Sequence, residues 1–407
     1  MVIADFFFRL LLWGTVFLGS VIPVLASKIG LGTRQTNEIE GLIAGVSVLL
    51  GVLLLFRQRV TDLPRTGLVL IMVLSLIWSL LGGLVGLARG WPLRYLIGDL
   101  FKTMVIPVVF LVTTSLVKDR DGLWHRFLAL YVPITACKIF ILVILTGRLE
   151  TEGTLFYILL ITAVTRQFAI AFPTRRLRFL AYTVLVLSGA DWILSARRAP
   201  TVAIAIVTGL ALTIQRNRIS RKVISTVTMC LVTIVILVSP QGQSVIRRLA
   251  ATYQPANTLS IDISTYGRFS EVRHAWGELI QEGYITVISG KGQGAVYSNP
   301  EEVLFARSNY IDPGSVQVHN IHVGPMAILY RQGLIGLTLW ISMCLCVLLP
   351  LRRSEERVGP GIVIRLAFLI EQLVFFTAYV FIGSPVWGVF MATVVRTKCV
   401  AVHHVCR

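Results

Sequence analysis

Long apolar runs alternate with short polar segments along nearly the whole chain. A transmembrane α-helix needs about 20 predominantly apolar residues, and most of the runs approach or exceed this length. The pattern therefore predicts an all-α polytopic membrane protein with about 12 transmembrane helices. The predicted spans lie at roughly 5–25, 40–56, 66–88, 95–117, 127–147, 155–172, 179–195, 200–214, 223–239, 332–350, 362–381 and 384–395.

Composition excludes a soluble globular protein. Apolar residues make up 55% of the 407 positions and charged residues only 14%, whereas soluble domains carry about 25% charged residues. The first apolar run lacks a small-residue cleavage site and is expected to remain in the membrane. The six cysteines lie in or next to apolar runs, so the sequence predicts no disulfide framework.

Positive charge predicts the orientation in the membrane. The formal net charge is +18, but the basic residues form short clusters between apolar runs instead of one nucleic-acid-binding face. One set of alternate short loops carries 19 Lys and Arg residues and the other set 7. Because basic loops face the cytoplasm, both termini are predicted inside. The chain is then a multi-pass protein of the bacterial inner membrane.

The longest polar stretch, at about 240–318, is predicted to be periplasmic in a Gram-negative cell. The chain divides into 1–239 with spans one to nine, 240–318 as a periplasmic loop with amphipathic helices, and 319–407. The last part holds spans ten to twelve and a short cytoplasmic tail. Within the loop, 268–284 has helical periodicity, 290–294 (Gly-Lys-Gly-Gln-Gly) predicts a tight turn with free backbone N–H groups, and a second helical pattern opens at His319.

His319 is the sharpest candidate for proton transfer. A helix N-terminus disfavours an imidazolium, so a histidine at a predicted helix start would stay neutral and could accept a proton. Asn320 or His322 could orient it. A structural histidine is the competing interpretation.

Arg197 and Arg198 form a basic pair in a short outer loop, against the charge rule. They are either a solvated turn or a phosphate clamp, since guanidinium binds phosphate oxygens with two parallel hydrogen bonds. No acidic metal triad is predicted on the outer side, so a metal-independent reaction without a cofactor is the simpler expectation. Further charged residues lie inside or near apolar runs, among them Asp99, Lys102 and Asp191. Asp191 is either part of a structural ion pair or a residue that supports the active site.

The ordered outer features resemble the bacterial O-antigen ligase and O-antigen polymerase family of integral membrane glycosyltransferases, over about 185–340. The residues that carry the resemblance are Ser-Ala-Arg-Arg at 195–198, Tyr-Gly-Arg at 266–268, Trp276, Gly-Lys-Gly at 290–292, His319, Asn320 and Tyr-Arg-Gln-Gly-Leu-Ile-Gly at 330–336.

The resemblance implies a GT-C-like membrane fold and a donor glycan on undecaprenyl pyrophosphate. It implies His319, Arg268 and Arg198 as catalytic residues in an inverting transfer. The family usually has a Ser-Arg step where this chain has Ser-Ala-Arg-Arg, so Arg197 competes with Arg198 for the inward position. Residues expected to contact substrate are Arg197, Asn320, Trp276, Lys291 and His322. The helix that carries Trp276 is expected to cover the site as a lid.

Three functions remain open at this point. An O-antigen ligase of lipopolysaccharide biosynthesis passes the finished chain to the lipid A-core acceptor. An O-antigen or exopolysaccharide polymerase passes it to a lipid-linked repeat unit. A polytopic transporter or flippase is the alternative from another class, but it would place functional charges at mid-membrane in both halves.

Overall fold

The computed structural model describes residues 2–28, 45–46, 49, 53, 66–117, 122–147, 149, 153–195, 198–214, 263–300, 317–319, 321–352, 360–377 and 384–394. The described part is predominantly helical. Predicted spans 40–56 and 223–239 lie almost entirely outside it, as does much of the polar loop. The number of twelve spans and the periplasmic position of the loop therefore stay predictions.

The N-terminal segment is one continuous helical rod with a local change of winding. Helix α1 (Val2–Leu11) runs into a π-helical stretch (Leu12–Leu18) and then into α2 (Gly19–Lys28). Phe7, Phe8 and Leu11 are buried on one side.

Among the described residues, five helical stretches are long and apolar enough to cross a membrane, as expected for an all-α membrane protein. They are Asp5–Ile22 within the N-terminal rod, α3 (Gly67–Ala88), α4 (Leu93–Leu116), α5 (Leu123–Thr146) and α12 (Gly324–Leu348). Thr66 caps α3 by accepting a hydrogen bond from the Val69 N–H. Gly147 ends α5 in the left-handed conformation.

The predicted span at 155–172 is not one helix. It is α6 (Gly153–Val164) followed by the short α7 (Phe168–Ala171). Between them, the Gln167 N–H bonds to the Thr162 carbonyl and the Arg166 N–H to the Ala163 carbonyl, while Arg166 has φ +59°. These two hydrogen bonds form a Schellman motif, so α6 ends within the apolar run.

The remaining apolar helices pack around the same core. They are α8 (Arg175–Ser195), α9 (Arg198–Ile214), α13 (Pro360–Thr377) and α14 (Val386–Val394). Helix α9 packs mainly against α13 and α6, and α14 packs mainly against α4. Their starts agree with the predicted spans at 179–195, 200–214, 362–381 and 384–395 to within a few residues.

A smaller unit packs on one end of the apolar core. It contains α10 (Ile263–Gln281), α11 (Tyr284–Ser289), the strands β1 (Tyr297–Ser298) and β2 (Gln317–Val318), and the first half of α12. The strands pair antiparallel, with Tyr297 opposite Val318. The amphipathic helix predicted at 268–284 is confirmed as a helix, but it starts earlier and ends at Gln281.

The helix predicted to open at His319 starts later. Val318 belongs to β2, and α12 begins at Gly324 with Pro325 in its first turn, where a proline without an N–H is favoured. The prediction that His319 lies at a helix N-terminus is wrong, because strand pairing takes the chain as far as Val318.

The glycine-rich segment (residues 290–294), predicted to be a tight turn with free backbone N–H groups, is buried. Its backbone N–H groups donate to carbonyls of two spans: Lys291 to Tyr330 at 2.8 Å, Gly292 to Arg331 at 3.0 Å and Gln293 to Gly82 at 2.9 Å. The predicted free N–H groups are therefore absent at these three positions. They are used to hold the segment between α3 and α12.

Gly333 breaks α12 where it meets this unit. Its φ of 67° and ψ of −169° lie outside the helical region. A Cβ at this position would overlap the carbonyl oxygen of Ile288 in α11. The kink thus depends on a residue without a side chain.

We expect Gly333→Ala to destabilise the protein by about 1–3 kcal/mol, because an L side chain is strained at positive φ and has no space here. The thermal unfolding midpoint in detergent measures the effect. Gly209→Ala is the matched control, since a Cβ at Gly209 in helix α9 meets no atom within 4 Å. Equal midpoints for the two variants would contradict the structural role of Gly333.

Candidate active site

His319 lies directly after β2 and is almost fully buried, with 6% of its surface exposed. Its Nδ1 is 3.2 Å from the carbonyl oxygen of Ala295, and its Nε2 is 3.3 Å from Oδ1 of Asp99. The ring stacks on Tyr95, with centroids 4.1 Å apart and planes 8° apart. The imidazole is therefore held on both edges and on one face.

Asp99 links the histidine to an arginine. This carboxylate in α4 is buried, and its Oδ2 is 2.9 Å from Nε of Arg331 and accepts the Gly294 N–H at 3.0 Å. Arg331 also donates from a terminal nitrogen to the His319 carbonyl at 2.9 Å. Asp99, His319 and Arg331, here called the His319 cluster, form a closed set of contacts between α4, α12 and the end of β2.

Both ring nitrogens of His319 face acceptors, the Ala295 carbonyl at Nδ1 and the Asp99 carboxylate at Nε2. A neutral ring donates to only one of them. In the tautomer that donates from Nδ1 to Ala295, Nε2 keeps the lone pair that can take up a proton. Burial lowers the pKa of His319, and Asp99 opposes this effect without reversing it. The ring is thus neutral near pH 7, and Asp99 stands where it would stabilise the imidazolium formed after proton uptake. Nε2 lies 3.3 Å from Asp99, which leaves no space for an oxygen atom between them, so a hydroxyl reaches Nε2 only after the ring or the carboxylate has moved.

A cavity of about 120 Å³ adjoins the cluster among the apolar helices. Its lining includes the polar side chains of Lys102, Thr103, Gln293 and Arg331. Apolar side chains in the lining include those of Ile106, Leu339, Trp340, Met343 and Phe375. The cavity therefore offers cationic groups and a hydrocarbon-like wall in one space.

Lys291 is engaged by the protein itself. Its ammonium contacts Glu282 and lies 2.8 Å from Glu278, and the Tyr330 hydroxyl donates to Glu278 at 2.7 Å. Arg89, which follows α3, pairs with Glu282 at 2.7 Å. Burial raises the pKa of Glu282, but the hydrogen bonds from Lys291 and Arg89 outweigh it and leave that pKa below its usual value. In this arrangement Lys291 joins the glycine-rich segment to α10 instead of facing a ligand.

His322 does not orient His319. Its Nδ1 lies 2.6 Å from Glu271 of α10, and its backbone N–H donates to the same carboxylate at 2.7 Å. Ala295 and Asp99 hold His319 instead. The predicted alternative, Asn320, lies outside the described residues.

The predicted arginines fall in two different parts of the fold. Arg268 is partly buried on α10, and Trp276 on the same helix is 41% exposed. Arg198 is the first residue of α9, which packs mainly against α13 and α6; its side chain and the whole of Arg197 lie outside the described part. The structure thus gathers His319, His322, Lys291 and the helix of Arg268 and Trp276 into one unit, and the described contacts do not join Arg198 to it.

No functional role was predicted from the sequence for Asp99, Tyr95 or Arg331. The sequence does contain a signal for Asp99 and Arg331, because a carboxylate and a guanidinium near or within predicted membrane spans are expected to form an ion pair. In the part of the chain that the structure describes, no cluster of three His, Cys, Asp or Glu side chains has the geometry to hold a metal ion.

The lowered pKa of His319 predicts a pH-dependent stability. Below about pH 6.5 the unfolded chain binds a proton that the folded ring resists. The contribution is present above that pH and is lost as the pH falls toward the folded pKa, at up to about 1.4 kcal/mol per pH unit for one proton. The thermal unfolding midpoint of His319→Gln should therefore change less between pH 7 and pH 5 than that of the wild type.

The control is His125→Gln in α5, whose ring is near the Ala171 carbonyl at 3.4 Å. This variant should keep the wild-type slope. A wild-type slope in His319→Gln as well would mean that the buried ring titrates normally.

Comparison of the chain with protein-family models, with curated proteins and with solved structures finds no match. The resemblance to O-antigen ligases and polymerases therefore depends on the sequence pattern at 185–340. The observations that bear on function are that pattern, the geometry of the His319 cluster and the adjoining cavity.

Proposed function

We propose that the protein is a membrane glycosyltransferase of the O-antigen ligase type. It moves a glycan from undecaprenyl pyrophosphate to a sugar hydroxyl of the lipid A-core acceptor, on the periplasmic face of the inner membrane. The transfer is inverting and uses no metal. The observation that carries the proposal is a neutral, buried histidine held by Asp99 and Arg331, where Arg331 also lines a cavity among the apolar helices.

The donor lipid has two chemically different parts, and the cavity has walls suited to both. A polyprenyl tail requires an apolar surface, which Leu339, Trp340 and Met343 supply. A pyrophosphate requires fixed cations in a dry space, where they stabilise developing negative charge most effectively. Lys102 lines the cavity, and Arg268 and Arg198 are the further cations that the resemblance implies.

The proposed reaction needs one proton acceptor and one good leaving group. The acceptor hydroxyl oxygen attacks the anomeric carbon while its proton moves to Nε2 of His319. The bond from that carbon to the pyrophosphate oxygen breaks, and the pyrophosphate leaves with the electron pair. Attack opposite to the leaving group inverts the anomeric centre.

Asp99 and Arg331 act through His319 in this scheme. Asp99 stabilises the imidazolium by its charge, at 3.3 Å from Nε2. Arg331 holds Asp99 at 2.9 Å and the His319 carbonyl at 2.9 Å. They are positioning residues, and general-base catalysis by the histidine is expected to contribute about 10²–10⁴-fold to the rate.

We expect His319→Ala to fold and to bind the lipid-linked donor, while glycan transfer falls by about 10²–10⁴-fold because the proton acceptor is lost. Transfer is measured with purified protein, lipid-linked donor and acceptor, and donor binding is measured separately. His322→Ala, which removes the contact with Glu271 on the same unit, tests whether any histidine loss has this effect.

His322→Ala should retain transfer within a few-fold of the wild type. Wild-type transfer by His319→Ala would remove the base assignment. Loss of donor binding together with loss of transfer would mean that His319 supports the binding site and not the proton transfer.

A deletion strain separates ligase from polymerase. With a ligase, no acceptor receives any chain, so the lipopolysaccharide ladder should lose all capped core. Capping with a single repeat unit would instead identify a polymerase that acts on a lipid-linked repeat. Complementation with the wild-type gene is the control for both outcomes.

A further inference from the structure

An apolar stripe on the smaller unit is exposed. Phe269, Trp276 and Ile280 lie on one side of α10, seven and then four residues apart, and each is more than 40% exposed. Tyr284 and Ile285 in α11 are 89% and 82% exposed. This spacing is that of one helix face, on which the exposed Arg273 lies between Phe269 and Trp276.

Contacts with α3 and α12 place α11 beside the spans. Glu282, just before α11, pairs with Arg89 at the end of α3. Farther along, the Ile288 carbonyl abuts Gly333, and Trp78 donates to the carbonyl of the adjacent Gln332 at 2.8 Å. Residues 284–289 thus run inward along α3 from its end.

At this level, α3 is apolar toward its surroundings. Its exposed hydrophobic side chains extend on both sides of Trp78, from Leu70 and Leu74 to Leu84 and Leu87. Leu334 and Ile335, directly after the kink in α12, are exposed as well. Ile285 and Ile288 therefore continue an apolar surface that belongs to two candidate spans.

The chain returns from this depth through the glycine-rich segment. Gly292 lies against the backbone of Gly82 and Gly86, and Gly294 reaches Asp99. The N–H groups of residues 291–294 all donate to protein acceptors. Irregular backbone inside a bilayer is tolerated only where protein satisfies it in this way.

We propose that residues 284–294 form a re-entrant segment, which enters the bilayer beside α3 and α12 and leaves on the same side. The exposed face of α11 contacts lipid acyl chains, and the stripe on α10 lies along the lipid–water boundary. Trp276 and Tyr284 suit that boundary, because their rings have an apolar body and a polar edge.

A lipid partner fits better than a second copy of the chain. Helix α11 packs against α12, so the bilayer that surrounds this candidate span reaches the exposed face of α11 without a new interface. This inference does not depend on the proposed glycan transfer.

Photo-crosslinking tests the proposal in the full-length protein. p-Benzoylphenylalanine replaces Ile285 or Tyr284, and the protein is reconstituted in nanodiscs of phosphatidylethanolamine and phosphatidylglycerol with tritiated acyl chains. Tyr284 gives a second site with little steric change, since its ring is already exposed. We expect irradiation to crosslink at least about fivefold more tritiated acyl chain to positions 284 and 285 than to a solvated position.

Two matched sites calibrate the signal. Gln281, exposed at the end of α10, is the solvated control, and Leu84, exposed on α3, is the lipid-facing control. Labelling of positions 285 and 284 close to that of position 84 supports the re-entrant segment. Labelling no higher than at position 281, or crosslinking to a second copy of the chain, would overturn it.

Discussion

The ion pair between Asp99 and Arg331 connects most of what is distinctive in this structure. A buried charge is costly unless a partner and hydrogen bonds compensate it, and Asp99 receives compensation from Arg331 and from the Gly294 N–H. These contacts join α4, α12 and the glycine-rich segment at one point. His319 is held at the same point, because Asp99 contacts its Nε2 at 3.3 Å while the Ala295 carbonyl holds the opposite edge of the ring.

Glycines make that convergence possible. Gly290, Gly292 and Gly294 all have positive φ, and a Cβ on any of them would overlap backbone atoms of a neighbouring span. The segment therefore approaches α3, α4 and α12 more closely than side chains would allow. The Lys291 side chain extends in the other direction, where its ammonium contacts Glu278 of α10 and Glu282, the residue that follows α10. One short stretch thus attaches the smaller unit to the apolar core through its backbone and to α10 through a side chain.

The sequence predicted the helical membrane architecture and the amphipathic helix, because apolar periodicity and charge placement are local signals. It did not predict the break after Val164, where Arg166 adopts a left-handed conformation that glycine usually marks. It also placed His319 on a helix, since the pairing of Val318 with Tyr297 is invisible to periodicity. Asp99 was visible as a charge in an apolar run, but its partner Arg331 is distant in sequence, and only folding brings them together.

The indole of Trp78 bonds to the carbonyl of Gln332, 254 positions away. Contacts this remote in sequence close late, because the intervening chain must first be ordered. The glycine-rich segment needs acceptors from α3, already synthesised, and from α12, which follows it. During biogenesis the glycine-rich segment therefore cannot make all of these hydrogen bonds until α12 has been synthesised. The packing around this segment is completed in the final assembly of the helices and not during stepwise helix insertion.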